Sequence, residues 1–135
     1  MQNQTDGDQE GQEIRVLLVD HHEAFARVAT DLLQRHDDMV VVGVESRGEQ
    51  ALSEAQRLQP DVILIDLDGP DLIGTDTIAR LRAVSPQTRI VGWTLLDPTV
   101  WERAELGVGV DAVVSKRSLS ADLLPAIRAV LAQAS

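Results

Sequence analysis

The chain has 135 residues, of which 44% are hydrophobic, and this length and composition suit one domain with a full hydrophobic core. The formal net charge of −10 argues against direct nucleic-acid binding, which needs clustered lysine and arginine. Cysteine is absent, which excludes disulfides, thiolate metal sites and a cysteine nucleophile. No apolar run approaches the ~18 residues of a membrane span and no signal peptide is recognisable, so we expect a cytoplasmic protein without membrane contact.

Five short apolar runs divide the chain at regular intervals. Residues 1–13 precede them and form a polar stretch with several acids, which predicts a disordered tail followed by a single domain over residues 14–135. The runs are rich in β-branched residues and are typical of strands buried on both faces. They are Ile14–Val19, Met39–Val44, Val62–Ile65, Arg89–Thr94 and Asp111–Ser115.

Helical periodicity occupies the segments that follow these strands. The predicted helices are His22–Arg35, Gly48–Gln59, Thr75–Val84, Pro98–Leu106 and a last one from about Asp122. In the first helix, an inward face is predicted from the spacing of Phe25, Val28, Ala29, Leu32 and Leu33. In the last, a start at Asp122 would keep Pro125 in the first turn, where it removes no interior hydrogen bond.

Alternation of strands and helices defines the fold class. Five strand–helix units with short connections predict an α/β domain, in which a five-stranded parallel sheet carries helices on both faces. At this size the strand order 2-1-3-4-5 of flavodoxin-like folds is the expected one, by analogy.

Polar or charged residues terminate four of the five predicted strands: Asp20, Asp66, Thr94 and Lys116. In a parallel sheet these ends share one edge, and neighbouring strands are only about 4.8 Å apart, so the four side chains can converge. Two carboxylates suit Mg²⁺, and one of them can act as a nucleophile toward a phosphoryl group. The hydroxyl and the ammonium suit phosphoryl oxygens. Taken singly, each residue has an ordinary surface or loop explanation.

The motifs around these residues point to a family. They are VLLVD ending at Asp20, PDVILIDLDGP containing Asp66, Gly74 eight residues later, IVGWT ending at Thr94 and VVSK ending at Lys116. Through these motifs, the chain from about Ile14 to Leu131 resembles a response-regulator receiver domain of two-component signalling. The stretch VVGVESRGEQAL and the non-proline residue after Lys116 resemble receivers that precede a helix-turn-helix output domain.

The resemblance implies a role for each strand-end residue. Asp66 would accept a phosphoryl group from a sensor histidine kinase, as an acceptor domain and not as a turnover enzyme. Asp20, Asp66 and the backbone carbonyl of Asp68 would hold Mg²⁺. Thr94 would be the switch hydroxyl and Lys116 the phosphate contact.

Output and homodimerisation would use the face formed by the fourth helix, fifth strand and fifth helix. Trp101, Val108 and Val113 belong to the sequence of that face. A role in transcription regulation follows from the same resemblance.

Departures from the family pattern keep a second reading open. His21 stands where receivers carry a second acid, and imidazole is a poor Mg²⁺ ligand, so His21 is either a weak ligand or structural, and Mg²⁺ binding should be weak. Val113 replaces the usual switch aromatic, although Trp101 could contribute something similar. Leu95 stands where a small residue is common, and Gly69 where methionine is common. A degenerate receiver, used for protein interaction without phosphorylation, is therefore the main alternative.

A phosphohydrolase of the haloacid-dehalogenase kind is the remaining alternative. DLDG would then provide Asp66 as nucleophile and Asp68 as general acid/base. Such enzymes need a further acidic motif after the lysine, and the only acid after Lys116 is Asp122, at the predicted start of a helix.

Overall fold

The computed structural model describes residues 13–69, 76–103 and 109–133. In these ranges the strands are β1 (Ile14–Val19), β2 (Met39–Glu45), β3 (Val62–Asp66), β4 (Arg89–Thr94) and β5 (Ala112–Ser115). The helices are α1 (Glu23–Leu33), α2 (Gly48–Leu58), α3 (Thr77–Val84), α4 (Pro98–Arg103) and α5 (Leu119–Ala132), with a 3₁₀ turn at Lys116–Ser118. The predicted tail lies outside the described residues except for Glu13, and so do Gly74 and Val108.

The strands form one sheet in the order β2-β1-β3-β4-β5, and every pairing is parallel. The predicted fold class and strand order are therefore confirmed. Register places Val19 beside Ile65 and Trp93 beside Asp66. The carboxyl ends of the three central strands consequently meet at one edge, with β3 in the middle.

Helices cover both faces of the sheet, which explains why the strand sequences are continuous apolar runs. Because successive side chains of a strand point to opposite faces, Leu18 and Leu64 pack with α1 and α5, whereas Leu17 and Ile63 pack with α2 and α3. All four side chains are fully buried. Each strand therefore has to be apolar on both sides.

The inward face of α1 differs from the predicted one. Ala26, Ala29 and Leu33 are buried, while Val28 is 55% exposed, so its predicted inward position is wrong. Val28 lies about 100° around the helix axis from Ala29. Ala26 and Leu33 lie on the opposite side of Ala29 from Val28, so the buried stripe turns away from the valine. Phe25 pairs edge-to-face with Trp93 in the core below.

Helix α5 begins earlier than predicted, at Leu119 and not at about Asp122, and Pro125 lies inside it. An interior proline removes one helical hydrogen bond and crowds the preceding turn. Pro125 is on the exposed side of the helix, where water can hydrate the freed carbonyl. Burial of Leu123 and Ile127 on the opposite side holds the helix to the sheet.

The remaining helix and strand bounds differ from prediction by only a few residues. Asp111 was placed in the fifth strand, but it precedes β5 and its Oδ2 accepts a hydrogen bond from the Ile90 N–H at 2.8 Å. For the fourth helix, residues 104–106 of the predicted range lie outside the described residues. No described helix combines the length and apolar character that crossing a membrane would require.

Candidate functional site

Two carboxylates face each other at the carboxyl edge of the sheet. Asp66 is the last residue of β3, and Asp20 directly follows β1. The sheet register aligns these two positions, because Val19 pairs with Ile65 immediately before them. Both acids are buried. Burial of two like charges so close together is unfavourable unless a cation balances them.

Lys116 provides a positive charge between the two acids. Its Nζ lies 2.7 Å from Oδ2 of Asp20 and 3.3 Å from Oδ1 of Asp66. The side chain is almost completely buried, and its ammonium also lies 4.5 Å from the ring centre of Phe25 and 5.1 Å from that of Trp93. Two carboxylates and one ammonium formally leave an excess of one negative charge inside the pocket.

His21 and His22 form the solvent side of this pocket. Nδ1 of His21 lies 2.9 Å from Oδ2 of Asp66, and the side chain is 35% exposed. The His22 N–H donates to Oδ1 of Asp20 at 2.7 Å, and His22 Nδ1 lies 3.5 Å from the same oxygen. The two acids and the two histidines each offer one potential metal-ligand atom, and these four atoms lie within 4.8 Å of one another. The four side chains could therefore hold a metal ion.

The hydroxyl of Thr94 is part of a separate hydrogen-bond network next to Asp66. It donates to Oδ1 of Asp68 at 2.6 Å and accepts from the Leu96 N–H and from Nε1 of Trp101, both at 3.0 Å. Asp68 in turn donates its N–H to Oδ1 of Asp66 at 2.9 Å. Thr94 is therefore connected to the acid pair through Asp68.

Two participants in this network were not predicted from the sequence. The Asp68 carboxylate was given no receiver role, yet it accepts from Thr94 and, through Oδ2, from the Leu95 N–H at 2.7 Å. Trp101 is predicted to lie on the output face, and the sequence gives no indication of its contact with Thr94. The only available signal was a carboxylate two residues after the strand end, which does not indicate where the side chain points.

The other predicted site positions lie around the pocket. Trp101 and Val113 are half-buried and pack against the same hydrophobic cluster, on the β4–β5 side of the sheet. Leu95 is partly exposed, with its N–H turned toward Asp68. Gly69 lies beside the acids, because a Cβ at this position would be 3.2 Å from Oδ2 of Asp66 and 3.3 Å from Nδ1 of His21. Gly69 itself therefore places no side chain beside these two atoms.

Fold and pocket together define a class of protein. The chain combines a five-stranded parallel α/β sheet with two buried acids, a lysine and a threonine at its carboxyl edge, as the receiver resemblance implies. The response regulator receiver domain family matches residues 16–128. The chain belongs to this family, which defines it as a receiver domain of two-component systems and leaves the haloacid-dehalogenase alternative without support.

Named relatives and solved structures agree with this assignment. The chain is 32% identical to the response regulator GacA of Pseudomonas viridiflava over 119 residues, 88% of this chain and 56% of GacA. It is also 32% identical to the response regulator VraR of Staphylococcus epidermidis over 117 residues, 85% of this chain and 55% of VraR. Both relatives extend well beyond the matched part, since the chain spans about half of their length.

A LuxR-family two-component response regulator from Aurantimonas sp. superposes with a TM-score of 0.79 at 26% identity, covering 89% of this chain and 86% of that one. The response regulator domain of Thermotoga maritima CheB superposes with a TM-score of 0.75 at 26% identity, covering 91% of this chain and 99% of that one. The flavodoxin-like receiver fold therefore has close structural counterparts.

Proposed function

We propose that this receiver accepts a phosphoryl group on Asp66 from a sensor histidine kinase and thereby controls an output domain or partner protein. One observation supports this above the others: buried Lys116 lies 3.3 Å from the Asp66 carboxylate and 2.7 Å from that of Asp20. A carboxylate next to a fixed ammonium is suited to receive a dianionic group, because the added negative charge is compensated on arrival.

The transfer step follows from carboxylate chemistry. An oxygen of Asp66 forms a bond to phosphorus while the phosphorus–nitrogen bond of the kinase phosphohistidine breaks. The leaving imidazole nitrogen keeps the electron pair and takes up a proton. Lys116 would then contact the phosphoryl oxygens, and the Thr94 hydroxyl would join them by exchanging its hydrogen bond to Asp68 for one to the phosphoryl group.

Receivers typically bind Mg²⁺, and here Asp20, Asp66 and the backbone carbonyl of Asp68 would hold it. When bound, the ion would neutralise charge on the transferring phosphoryl group. The donor set suits Mg²⁺ only in part. The two carboxylates are appropriate ligands, but the imidazole of His21 stands where receivers carry a further acid, and Mg²⁺ prefers oxygen. We therefore expect weak Mg²⁺ binding.

Control of transcription is the output that the relatives suggest, with action in the cytoplasm. RcsB of Salmonella enterica serovar Typhimurium, described as bound to a promoter with a phosphomimetic, shares the fold with a TM-score of 0.75 at 21% identity. The net charge of −10 disfavours DNA contact by this domain itself. Dimerisation through α4, β5 and α5, the face that includes Trp101 and Val113, would instead transmit the signal.

A degenerate receiver is the second candidate, and the position of His21 favours it. Its Nδ1 is 2.9 Å from Oδ2 of Asp66, so the imidazole lies beside the oxygen that an incoming phosphoryl group would approach. In that case the domain would act as an interaction module with a permanently unphosphorylated Asp66.

Incubation of the full chain with acetyl phosphate and Mg²⁺, followed by intact mass measurement, separates the two candidates. We expect one added phosphoryl group in the wild type and in Asp37→Asn, an exposed acid outside the pocket, and none in Asp66→Asn. His21→Asp should increase the phosphorylated fraction by restoring a carboxylate. If the wild type stays unphosphorylated while His21→Asp is phosphorylated, the receiver is degenerate because it lacks the second acidic metal ligand. If Asp66→Asn is still phosphorylated, Asp66 is not the acceptor.

A further inference from the structure

The acid pocket contains an unusual set of potential metal ligands. Asp20 and Asp66 contribute carboxylates from the buried side, and His21 and His22 contribute imidazoles from the solvent side. The His21 and His22 side chains are 35% and 50% exposed, so these two ligands are accessible from solvent. Two carboxylates with two imidazoles form a mixed oxygen and nitrogen set.

The distances between the potential ligand atoms of this set support a shared ion. Nδ1 of His21 lies 2.9 Å from Oδ2 of Asp66 and 3.9 Å from Oδ1 of Asp20, and Nδ1 of His22 lies 3.5 Å from that same Asp20 oxygen. Two ligand atoms of one zinc ion lie roughly 3 to 3.5 Å apart, given metal–ligand bonds of about 2.0 to 2.2 Å. The three distances, 2.9, 3.5 and 3.9 Å, bracket this range, so a small adjustment of the imidazoles would let these atoms share one ion.

Gly69, in the described part of the loop after β3, lies next to two of these atoms. Gly69 has no side chain at the point where a Cβ would approach Oδ2 of Asp66 to 3.2 Å and Nδ1 of His21 to 3.3 Å. The glycine itself therefore adds no side chain beside either atom. An alanine here would restrict the space that an ion and its water need.

The choice of cation follows from the ligands. Mg²⁺ requires near-octahedral oxygen coordination and loses its water reluctantly, and one oxygen of the set, Oδ2 of Asp20, is already engaged by Lys116 at 2.7 Å. Imidazole nitrogen suits divalent transition cations, and Zn²⁺ accepts nitrogen and carboxylate oxygen together in four-coordinate sites.

We propose that the pocket binds a divalent transition cation of the Zn²⁺ type in preference to Mg²⁺. The ligands are Oδ2 of Asp66, Oδ1 of Asp20 and an imidazole nitrogen each from His21 and His22. Such an ion compensates the excess negative charge that Lys116 leaves. The inference concerns the same pocket as the proposed phosphoryl acceptor and rests on it only for the identity of the acids, since metal binding needs no phosphodonor.

Isothermal titration of the full chain with ZnCl₂ and with MgCl₂ tests this preference. We expect saturable 1:1 Zn²⁺ binding by the wild type and by His36→Asn, which removes the third histidine of the chain, outside the pocket. The double variant His21→Asn/His22→Asn should lose more than about tenfold in Zn²⁺ affinity, since even changes to residues that only support a ligand cost that much. Equal Zn²⁺ affinity in wild type and double variant would overturn the proposal.

His21→Asp provides the sharper comparison, because any site of this kind favours Zn²⁺ over Mg²⁺ to some degree. We expect it to bind Mg²⁺ more tightly and Zn²⁺ more weakly than the wild type, whereas Gly69→Ala should weaken both. A parallel loss of Zn²⁺ affinity in His36→Asn would instead indicate adventitious binding and reject the site. A shift of the His21 imidazole ¹⁵N resonance on Zn²⁺ addition identifies the ligand directly. Phosphorylation measured by mass with Mg²⁺ is a separate readout, so either proposal can fail while the other stands.

Discussion

The indole Nε1 of Trp101 donates a hydrogen bond to the hydroxyl of Thr94 at 3.0 Å, which ties α4 to the end of β4. Thr94 in turn donates to Asp68 at 2.6 Å, and Asp68 donates its N–H to Asp66. A continuous chain of hydrogen bonds thus runs from the acid pocket to the helix that precedes β5. Trp101 provides the aromatic contact to this threonine in a chain that has Val113 at the usual aromatic position.

Removal of the indole N–H by Trp101→Phe should release the Thr94 hydroxyl from α4. We expect a loss of about 0.5 to 1.5 kcal/mol in the free energy of unfolding from the hydrogen bond, beyond a smaller packing loss, measured by urea denaturation. Thr94→Val removes the acceptor, so the double variant Trp101→Phe/Thr94→Val serves as control. If the two losses are simply additive, the hydrogen bond contributes nothing and the coupling is refuted.

Charge balance in the pocket gives opposite expectations for two substitutions. Asp66→Asn removes one of two buried carboxylates and retains the 2.7 Å pair of Asp20 and Lys116, so it should raise the free energy of unfolding. Lys116→Met leaves both acids buried without their cation and should lower it by about 3 kcal/mol or more. Sites that hold strained charges commonly trade stability for function in this way.

Thermal and chemical denaturation of the two variants without added metal check this pair of predictions. The double variant Asp66→Asn/Lys116→Met is the control, since it should recover part of the loss caused by Lys116→Met alone. A destabilised Asp66→Asn protein together with an unaffected Lys116→Met protein would contradict the charge assignment.

The fold and the positions of the acids could be predicted from the sequence because they depend on local patterns and on topology. A run such as Val62–Ile65 is apolar at every position only if both faces are covered, and the parallel arrangement then fixes where Asp20 and Asp66 end up. Lys116 follows from the same rule, as it comes directly after the fifth strand.

Side-chain direction was not predictable in the same way. Asp68 turns its carboxylate toward Thr94 and the Leu95 N–H, and this depends on how the loop after β3 lies against the end of β4. Pro125 shows the same limit for a helix. Its position inside α5 is tolerated because the sheet holds the buried side of the helix, which is a tertiary effect that local propensity does not contain.

The ion pair between Asp38 and Arg128 connects the loop before β2 with α5. Arg128 donates to both carboxylate oxygens, at 2.8 and 3.2 Å, and these hydrogen bonds hold the pKa of Asp38 below its usual value of 3.8. Both side chains are more than a third exposed, so solvent screening limits the pair to less than about 1 kcal/mol. Arg128→Ala should therefore destabilise the protein only slightly at neutral pH.

The pH dependence of that small loss has a defined sign. Because the Asp38 pKa is lower in the folded protein than in the unfolded chain, the pair stabilises the fold above the usual carboxyl pKa. This contribution disappears as the pH falls through the lowered pKa of the folded state. The difference in unfolding free energy between wild type and Arg128→Ala, measured across that acidic range, should shrink toward zero, and a difference that grows on acidification would contradict the assignment.

Gly92 on β4 is required by the close approach of Leu67, the first residue after β3. A Cβ at this glycine would lie 2.5, 2.7 and 2.9 Å from three atoms of the fully buried Leu67 side chain. Gly92→Ala should therefore force Leu67 to move and cost about 1 to 3 kcal/mol of overpacking, measured by urea denaturation. Gly43→Ala on β2 is the matched control, because its Cβ would meet Leu17 only at 3.1 Å and should cost less. In the background of Leu67→Ala the Gly92→Ala penalty should largely vanish, and a penalty that persists there would show that the steric conflict lies elsewhere.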